Sequence, residues 1–159
     1  MRRLLRVLAA SILSVGVLVP PSGAAPACPN PADQSVYEVL SLRQQMVVIA
    51  TKCNRVQEYD NNFVKRFQPV LQANDRAALA YFRRVYGGAG QGRMDTFTTT
   101  LVNVLSRQAN TEGGEYCPRA GLIIAELNAL RSMDELVAYA AVKDLAPVGT
   151  SMCPPGSRR

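Results

Sequence analysis

The sequence predicts an all-α protein, an irregular bundle of five to six helices stapled by two disulfides. Three observations support this. Apolar residues recur at alternating spacings of three and four, which places them on one face of a helix. No segment shows the strict alternation of a half-buried strand. Cysteine occurs four times, an even number, in a chain that opens like an export signal.

That opening comes first in the chain. Arg2, Arg3 and Arg6 give a positive start, and Val7 to Val19 is apolar apart from Ser11, Ser14 and Gly16. Pro20 and Pro21 end the run, and the small residues Ser22, Gly23, Ala24, Ala25 and Ala27 follow. This is the order of a cleavable secretory signal, and the run is shorter than the roughly 20 apolar residues of a membrane-spanning helix. Cleavage fits after Ala24 or after Ala27, with Ala27 preferred. The expected organisation is therefore a signal peptide over 1–27 and a single helical domain over 28–159 with short non-helical tails. Arg2-Arg3-Leu4-Leu5 also permits a twin-arginine signal, and Ala25-Pro26-Ala27-Cys28 a lipoprotein site, but ordinary charge and ordinary cleavage are the default readings.

The first helix is expected from Asn30-Pro31-Ala32-Asp33, where Asn30 can cap, Pro31 suits the first helical position and Asp33 suits the positive end. Its stripe runs through Val39, Leu42, Met46, Ile49, Cys53, Val56, Phe63 and Phe67, with Asp60 as a polar interruption. It is expected to reach about Arg66, with a possible break near 52–54, because Pro69 disfavours helix at Gln68. Asn74 or Asp75 can start the next helix, with Leu79, Phe82 and Val85 inside and Gly87 at its end. Gly87 to Gly92 reads as a loop. Asp95 can cap a helix carrying Phe97, Leu101, Val104 and Leu105, and 110–114 reads as a turn. Pro118 suits the first turn of a helix with Leu122, Ile123, Leu127 and Leu130. Ser132-Met133-Asp134-Glu135 matches a capping box and opens a last helix with Leu136, Val137, Ala140 and Leu145. Pro147 and Gly149 stop it, and 152–159 reads as a tail.

Four cysteines allow three pairings. Cys53–Cys117 and Cys28–Cys153 are preferred. Cys28 and Cys153 each precede proline in the tails, and domain termini are often close. Cys53 and Cys117 both lie in helical segments. Each bridge stabilises by about 2–5 kcal/mol, mainly through the unfolded chain.

Composition excludes several kinds of chemistry. The chain has no histidine, so no serine or cysteine nucleophile can pair with an imidazole. Histidine-containing zinc sites are excluded, and the cysteines are too far apart for the usual zinc spacings. There is no CxxC redox pair and no CxxCH haem attachment, so no cofactor is expected. The signal holds three of the 18 basic residues, which leaves a net charge of +3 against 12 acids. That is too mild for a nucleic-acid surface.

The remaining candidates are few. Gly87 and Gly92 have the glycine spacing of a phosphate loop, but Arg93-Met94 stands where Lys-Ser/Thr is needed; Arg93 stays a candidate anion contact near a helix start. Glu58 and Asp60 are candidate paired carboxylates, set against the reading of Asp60 as a semi-buried acid compensated by an arginine. Thr98 to Thr100, with Asn103 and Ser106, offer polar groups on a helix, and Thr100 and Asn103 are kept as candidate ligand contacts. Lys65, Arg66, Arg76, Arg83 and Arg84 form a basic stretch whose default reading is a solvated face. Tyr59, Tyr81, Tyr86 and Tyr116 are expected to pack at core edges.

Cys53-Asn54 followed by Tyr59 and Phe63, Tyr81-Phe82-Arg83-Arg84 with Tyr86-Gly87, Asp95 with Thr100 and Asn103, and Tyr116-Cys117-Pro118 resemble small uncharacterised exported proteins of alphaproteobacteria. The resemblance covers most of the chain after the signal and implies a periplasmic or secreted setting. It implies no catalytic residue.

The expected role is a non-enzymatic domain that binds an envelope component or protein partner. The rival readings are an acid- or stress-protective chaperone-like protein and a small carboxylate-dependent hydrolase.

Overall fold

Asn30 and Asp33 set the first helix in place by reciprocal bonds. Asn30 Oδ1 accepts from the Asp33 N–H at 2.9 Å, and Asp33 Oδ2 accepts from the Asn30 N–H at 3.0 Å. In the computed structural model, which describes residues 28–143, 145–147 and 151–153, this capping box opens α1 (Pro31–Lys52). The expected signal over 1–27, Gly149 and the tail beyond Cys153 lie outside the described residues.

α1 is the central helix and packs against α3 (Gln68–Tyr86), α4 (Gly90–Glu112) and α6 (Met133–Lys143). The stripe Val39, Leu42, Met46 and Ile49 is buried, as are Leu40 and Val48 off that stripe. A helix enclosed on several sides must also bury polar groups, and Ser41, Gln44 and Gln45 are buried in it. Arg43 Nη1 donates to both Asp75 oxygens, at 2.7 and 2.6 Å, joining α1 to α3. Burial pulls the Arg43 pKa down, but the hydrogen bond and charge of Asp75, with Tyr59, outweigh it and hold it above its ordinary value.

The first helix stops at Lys52, because Asn54 takes a left-handed turn at φ 54°. The chain resumes in a three-residue α2 (Val56–Glu58) that widens into a π-helical segment, Tyr59–Val64. There the Lys65 N–H reaches the Asp60 carbonyl, the i→i+5 bond of such a turn. Break and wide turn together rotate side chains off the straight stripe. Phe63 and Phe67 still reach the core, but Val56 is 48% exposed and Asp60 is exposed.

α3 begins at Gln68, earlier than expected, because Pro69 sits in its first turn, where no N–H partner is needed. Asn74 and Asp75 are interior residues rather than caps: Asn74 Nδ2 donates to the Val36 carbonyl at 3.2 Å, and Asp75 holds Arg43. Gly87, at φ 58° and ψ −131°, ends α3 in a conformation open to glycine. A short 3-10 turn, Gly87–Ala89, leads straight into α4. The expected loop is thus a tight corner, and Asp95 lies inside α4, accepting from Gln91 Nε2 at 2.9 Å. The corner is tight because Gly90 lies against Arg83: a Cβ there would stand 2.7 Å from the Arg83 Cα.

α4 buries Leu101, Leu105 and Ala109 and runs to Glu112, so Asn110 is helical and accepts from Lys52 Nζ. A second 3-10 turn, Gly113–Glu115, opens α5 (Tyr116–Ala129) with Pro118 in its first turn. α5 buries Tyr116, Ala120, Ile124 and Leu127, a stripe that leaves Leu122 on the far face, 65% exposed. Ser132 Oγ accepts from the Glu135 N–H at 3.1 Å at the start of α6. The Glu135 carboxylate takes the Arg131 N–H instead of that of Ser132, a capping box displaced by one residue. Leu136 and Ala140 are buried, and Leu145, beyond the helix, packs against the core. Glu126 ties α5 to α6 by accepting from Tyr139 and Lys143, both at 2.8 Å. Those two bonds hold the Glu126 carboxyl below its usual range.

Four long helices, α1, α3, α4 and α5, of 14 to 23 residues, carry the fold; this is fewer than the five to six expected. The remainder is short: α6 has 11 residues and α2 three. Among the described residues there is no strand, and no helix is long and apolar enough to cross a membrane. Cys53–Cys117 links the end of α1 to the start of α5, with Cα atoms 5.6 Å apart, and Cys28–Cys153 links the two ends of the described chain at 4.6 Å. Met152, expected in a tail, is instead buried with Tyr37, Tyr81 and Phe82 in a second apolar cluster.

Candidate functional site

The Cys53–Cys117 bridge has a consequence for the residue beside it. It fixes the first turn of α5 against α1 and so places Tyr116 over Gln45, two turns back along α1 from Cys53. Gln45 Nε2 donates to the Tyr116 hydroxyl at 2.8 Å, a buried bond between residues 71 apart in sequence. Gln45 is 9% exposed and Tyr116 7%.

What remains accessible of this pair opens into a cleft of about 320 Å³, within the usual size range of small-ligand sites. Ala120 and Ile123 of α5, with Leu145, Ala146 and Pro147 after α6, supply the apolar lining. Gln108 and Glu112 of α4 and Arg119 of α5 complete it. Arg119 Nη2 and Glu112 Oε2 are paired at 2.6 Å with both side chains substantially exposed, so the two charges neutralise each other.

Burial pushes the Tyr116 hydroxyl up to about 12; the Glu112 charge adds to the rise and the Gln45 bond opposes it. The phenol is therefore neutral at ordinary pH and keeps its proton as a donor. That proton has no acceptor, and Gln45 Oε1 has no donor, among the described residues. The arrangement can hold a neutral polar group by hydrogen bonds and seat an apolar group beside it.

The residues singled out from sequence lie elsewhere. Asp60 is exposed on the π-helical segment, with no arginine on its carboxylate among the described residues. Glu58 is paired with Arg55 at 2.8 Å. Arg93 is exposed on α4, its guanidinium 5.5 Å from the Tyr86 ring centroid. Thr100 Oγ1 donates back to the Thr96 carbonyl at 2.9 Å, the common local bond of a helical threonine. Asn103 is exposed. None of these lines the cleft.

Much of the basic stretch is engaged in internal contacts. Arg66 donates to the carbonyls of Leu127 and Asn128 at the end of α5, Arg84 pairs with Asp33 at 2.6 Å, and Lys65 donates to Asn61. Among the described residues no group of three acidic or cysteine side chains is placed to hold a metal ion.

Sequence reasoning missed Gln45 as a site residue and read Tyr116 only as packing. Two signals mark them. Gln45 stands beside Met46 in the buried part of α1, and Tyr116 adjoins a bridged cysteine.

Comparison of the chain with protein-family models, with characterised proteins and with solved structures finds no match.

Proposed function

We propose that this chain is an exported, non-enzymatic binding domain of the cell envelope, periplasmic or secreted, that seats its ligand in the Gln45–Tyr116 cleft. The cleft carries this reading. It combines apolar walls with two deeply buried polar groups whose hydrogen-bonding capacity is partly unused. Such a combination fixes and orients a small ligand. Two disulfides suit an oxidising compartment, and the charged, apolar and small-residue order over 1–27 supplies a route out of the cytosol.

The hydrolase reading gains no support from geometry. Glu58 is engaged by Arg55, Asp60 is exposed, and neither borders the cleft.

The test is a titration of the oxidised protein with small-molecule fractions of envelope extract, followed by NMR. Binding predicts saturable shifts of the Gln45 side-chain amide and the Ile123 methyls, with the ligand recovered chemically unchanged. Recovery of a converted product, or saturable shifts confined to other surfaces, contradicts the reading.

A further inference from the structure

We infer that the outward face of α3 docks the protein on an anionic lipid surface, through Arg76, Arg83 and Arg93. This face is separate from the cleft, which none of the three arginines lines.

Charge is unevenly shared along the chain. Residues 61–94 carry six basic side chains and one acidic one, whereas the rest of the chain after residue 27 carries nine basic and eleven acidic. The one acid of the basic segment, Asp75, is taken by Arg43 of α1. Of the six cations, only Arg84 has an acidic partner among the described residues, Asp33. Lys65 donates to an amide and Arg66 to two carbonyls, which fix these side chains without cancelling their charge. The α3 segment is thus strongly cationic, set against a remainder of slight negative charge. A molecule polarised in this way turns its basic side toward an anionic partner.

Arg76 and Arg83 are both exposed and stand seven residues apart on α3. Two helical turns separate them, so they share one face, about 10 Å apart. Ala80, between them on that face, is exposed and short, which lets both guanidinium groups meet a flat surface together. Arg93 adds a third exposed cation past the α3–α4 corner, its guanidinium 5.5 Å from the ring centroid of Tyr86 on α3. Cations spaced along the outside of a helix meet separate anions rather than share one. That favours a surface bearing many phosphates, for which guanidinium donors are well suited, over a small free anion. The exposed large apolar side chains, Val56, Leu122, Met133 and Val142, all lie outside α3, so the contact is electrostatic and inserts nothing. Three arginines are few for the many phosphate contacts of nucleic acid, and the exported setting proposed above brings the chain beside lipid.

The test is co-sedimentation of the oxidised chain with two kinds of vesicle, phosphatidylcholine alone and phosphatidylcholine with about one-third phosphatidylglycerol, in about 0.1 M and about 1 M NaCl. Each arginine near an anionic surface strengthens binding about fivefold, so partitioning onto the phosphatidylglycerol vesicles should be stronger by on the order of a hundredfold. It should vanish at about 1 M salt, where screening acts within about 3 Å. Arg83→Gln keeps the Cγ that lies near Gly90 and should weaken partitioning about fivefold; adding Arg76→Gln should bring the loss to about 25-fold. Lys52→Gln removes the same charge from the far end of α1, roughly 28 Å along the helix from Asp33 and its partner Arg84, and should change partitioning less than about twofold. Equal partitioning onto the two vesicle types, none included, overturns the inference. So does binding that survives about 1 M salt, or a loss from Lys52→Gln equal to that from Arg83→Gln. Tighter binding of duplex DNA than of phosphatidylglycerol vesicles, at equal phosphate concentration, also overturns it. The vesicle and DNA arms use the unaltered chain and decide the matter even if a variant folds poorly. In each of these cases the cleft reading stands, because its titration follows Gln45 and Ile123 instead.

Discussion

The Tyr81 hydroxyl donates to the Met152 carbonyl at 2.5 Å, joining α3 to the residue next to Cys153. Both partners are buried, and Met152 sits in an apolar cluster with Tyr37 and Phe82. The C-terminal part of the described chain is therefore held by a hydrogen bond and by apolar packing as well as by the Cys28–Cys153 bridge. Tyr81→Phe keeps the ring but leaves a buried carbonyl unpaired. It should cost about 1–3 kcal/mol in urea unfolding, and a neutral result would show that the carbonyl finds water.

The α3–α4 corner predicts a sharp contrast between neighbouring glycines. Gly90→Ala places a Cβ 2.7 Å from the Arg83 backbone, so one helix must shift. The expected loss is about 1–3 kcal/mol. Gly88→Ala meets nothing within 4 Å and should change stability little. Thermal unfolding of the two variants side by side checks this.

Asp33 serves α1 and α3 at once. Its carboxylate accepts from the Asn30 N–H and from Arg84. Asp33→Ala removes half of the capping box and one ion pair, and should destabilise by about 1–2 kcal/mol, a typical loss for a helix cap. The Arg84 side chain is 56% exposed, so the ion pair is the smaller part. Arg84→Ala should accordingly cost less than Asp33→Ala in the same assay.

Alkaline pH tests the buried tyrosines. Burial is the main cause that raises Tyr81 and Tyr116 from about 10 to about 12. A group whose folded pKa is raised contributes stability that is complete below its unfolded pKa and is lost as pH rises through the folded one. Stability should therefore hold to about pH 10 and fall between about 10 and 12. Phenolate absorbance should show both residues titrating late, together with Tyr139, which burial and its hydrogen bond to Glu126 also raise, and Tyr116→Phe should flatten the fall in urea midpoint. A midpoint indifferent to pH over that window contradicts the burial of both rings.

Helical content and the presence of two bridges were legible because each follows from a local pattern or a count. The stripe from Val39 to Ile49 persists through an unbroken helix, and the chain obeys it. Beyond Cys53 the same spacing misleads. The left-handed Asn54 and the π-helical segment change the phase, which carries Val56 and Asp60 to the surface. Asn74, Asp75 and Asp95 have the residue types of caps, but the first two bond across helices and the third bonds within its own. Pro69 marked a helix start rather than a stop.

The cleft was not legible because it depends on a contact over 71 residues. Gln45 belongs to no motif, and the Tyr116-Cys117-Pro118 pattern assigns Tyr116 no role. Candidates chosen by residue type, Asp60, Arg93, Thr100 and Asn103, fall on the outer face of the bundle, where polar side chains are ordinarily found.

Intact-mass measurement of the chain recovered from the cell envelope, before and after reduction, tests most directly whether this is an exported, doubly bridged domain. The account predicts a processed chain beginning at Cys28 that gains four hydrogens on reduction. A full-length chain in the cytosol, with a mass unchanged by reduction and four thiols open to alkylation, would contradict it.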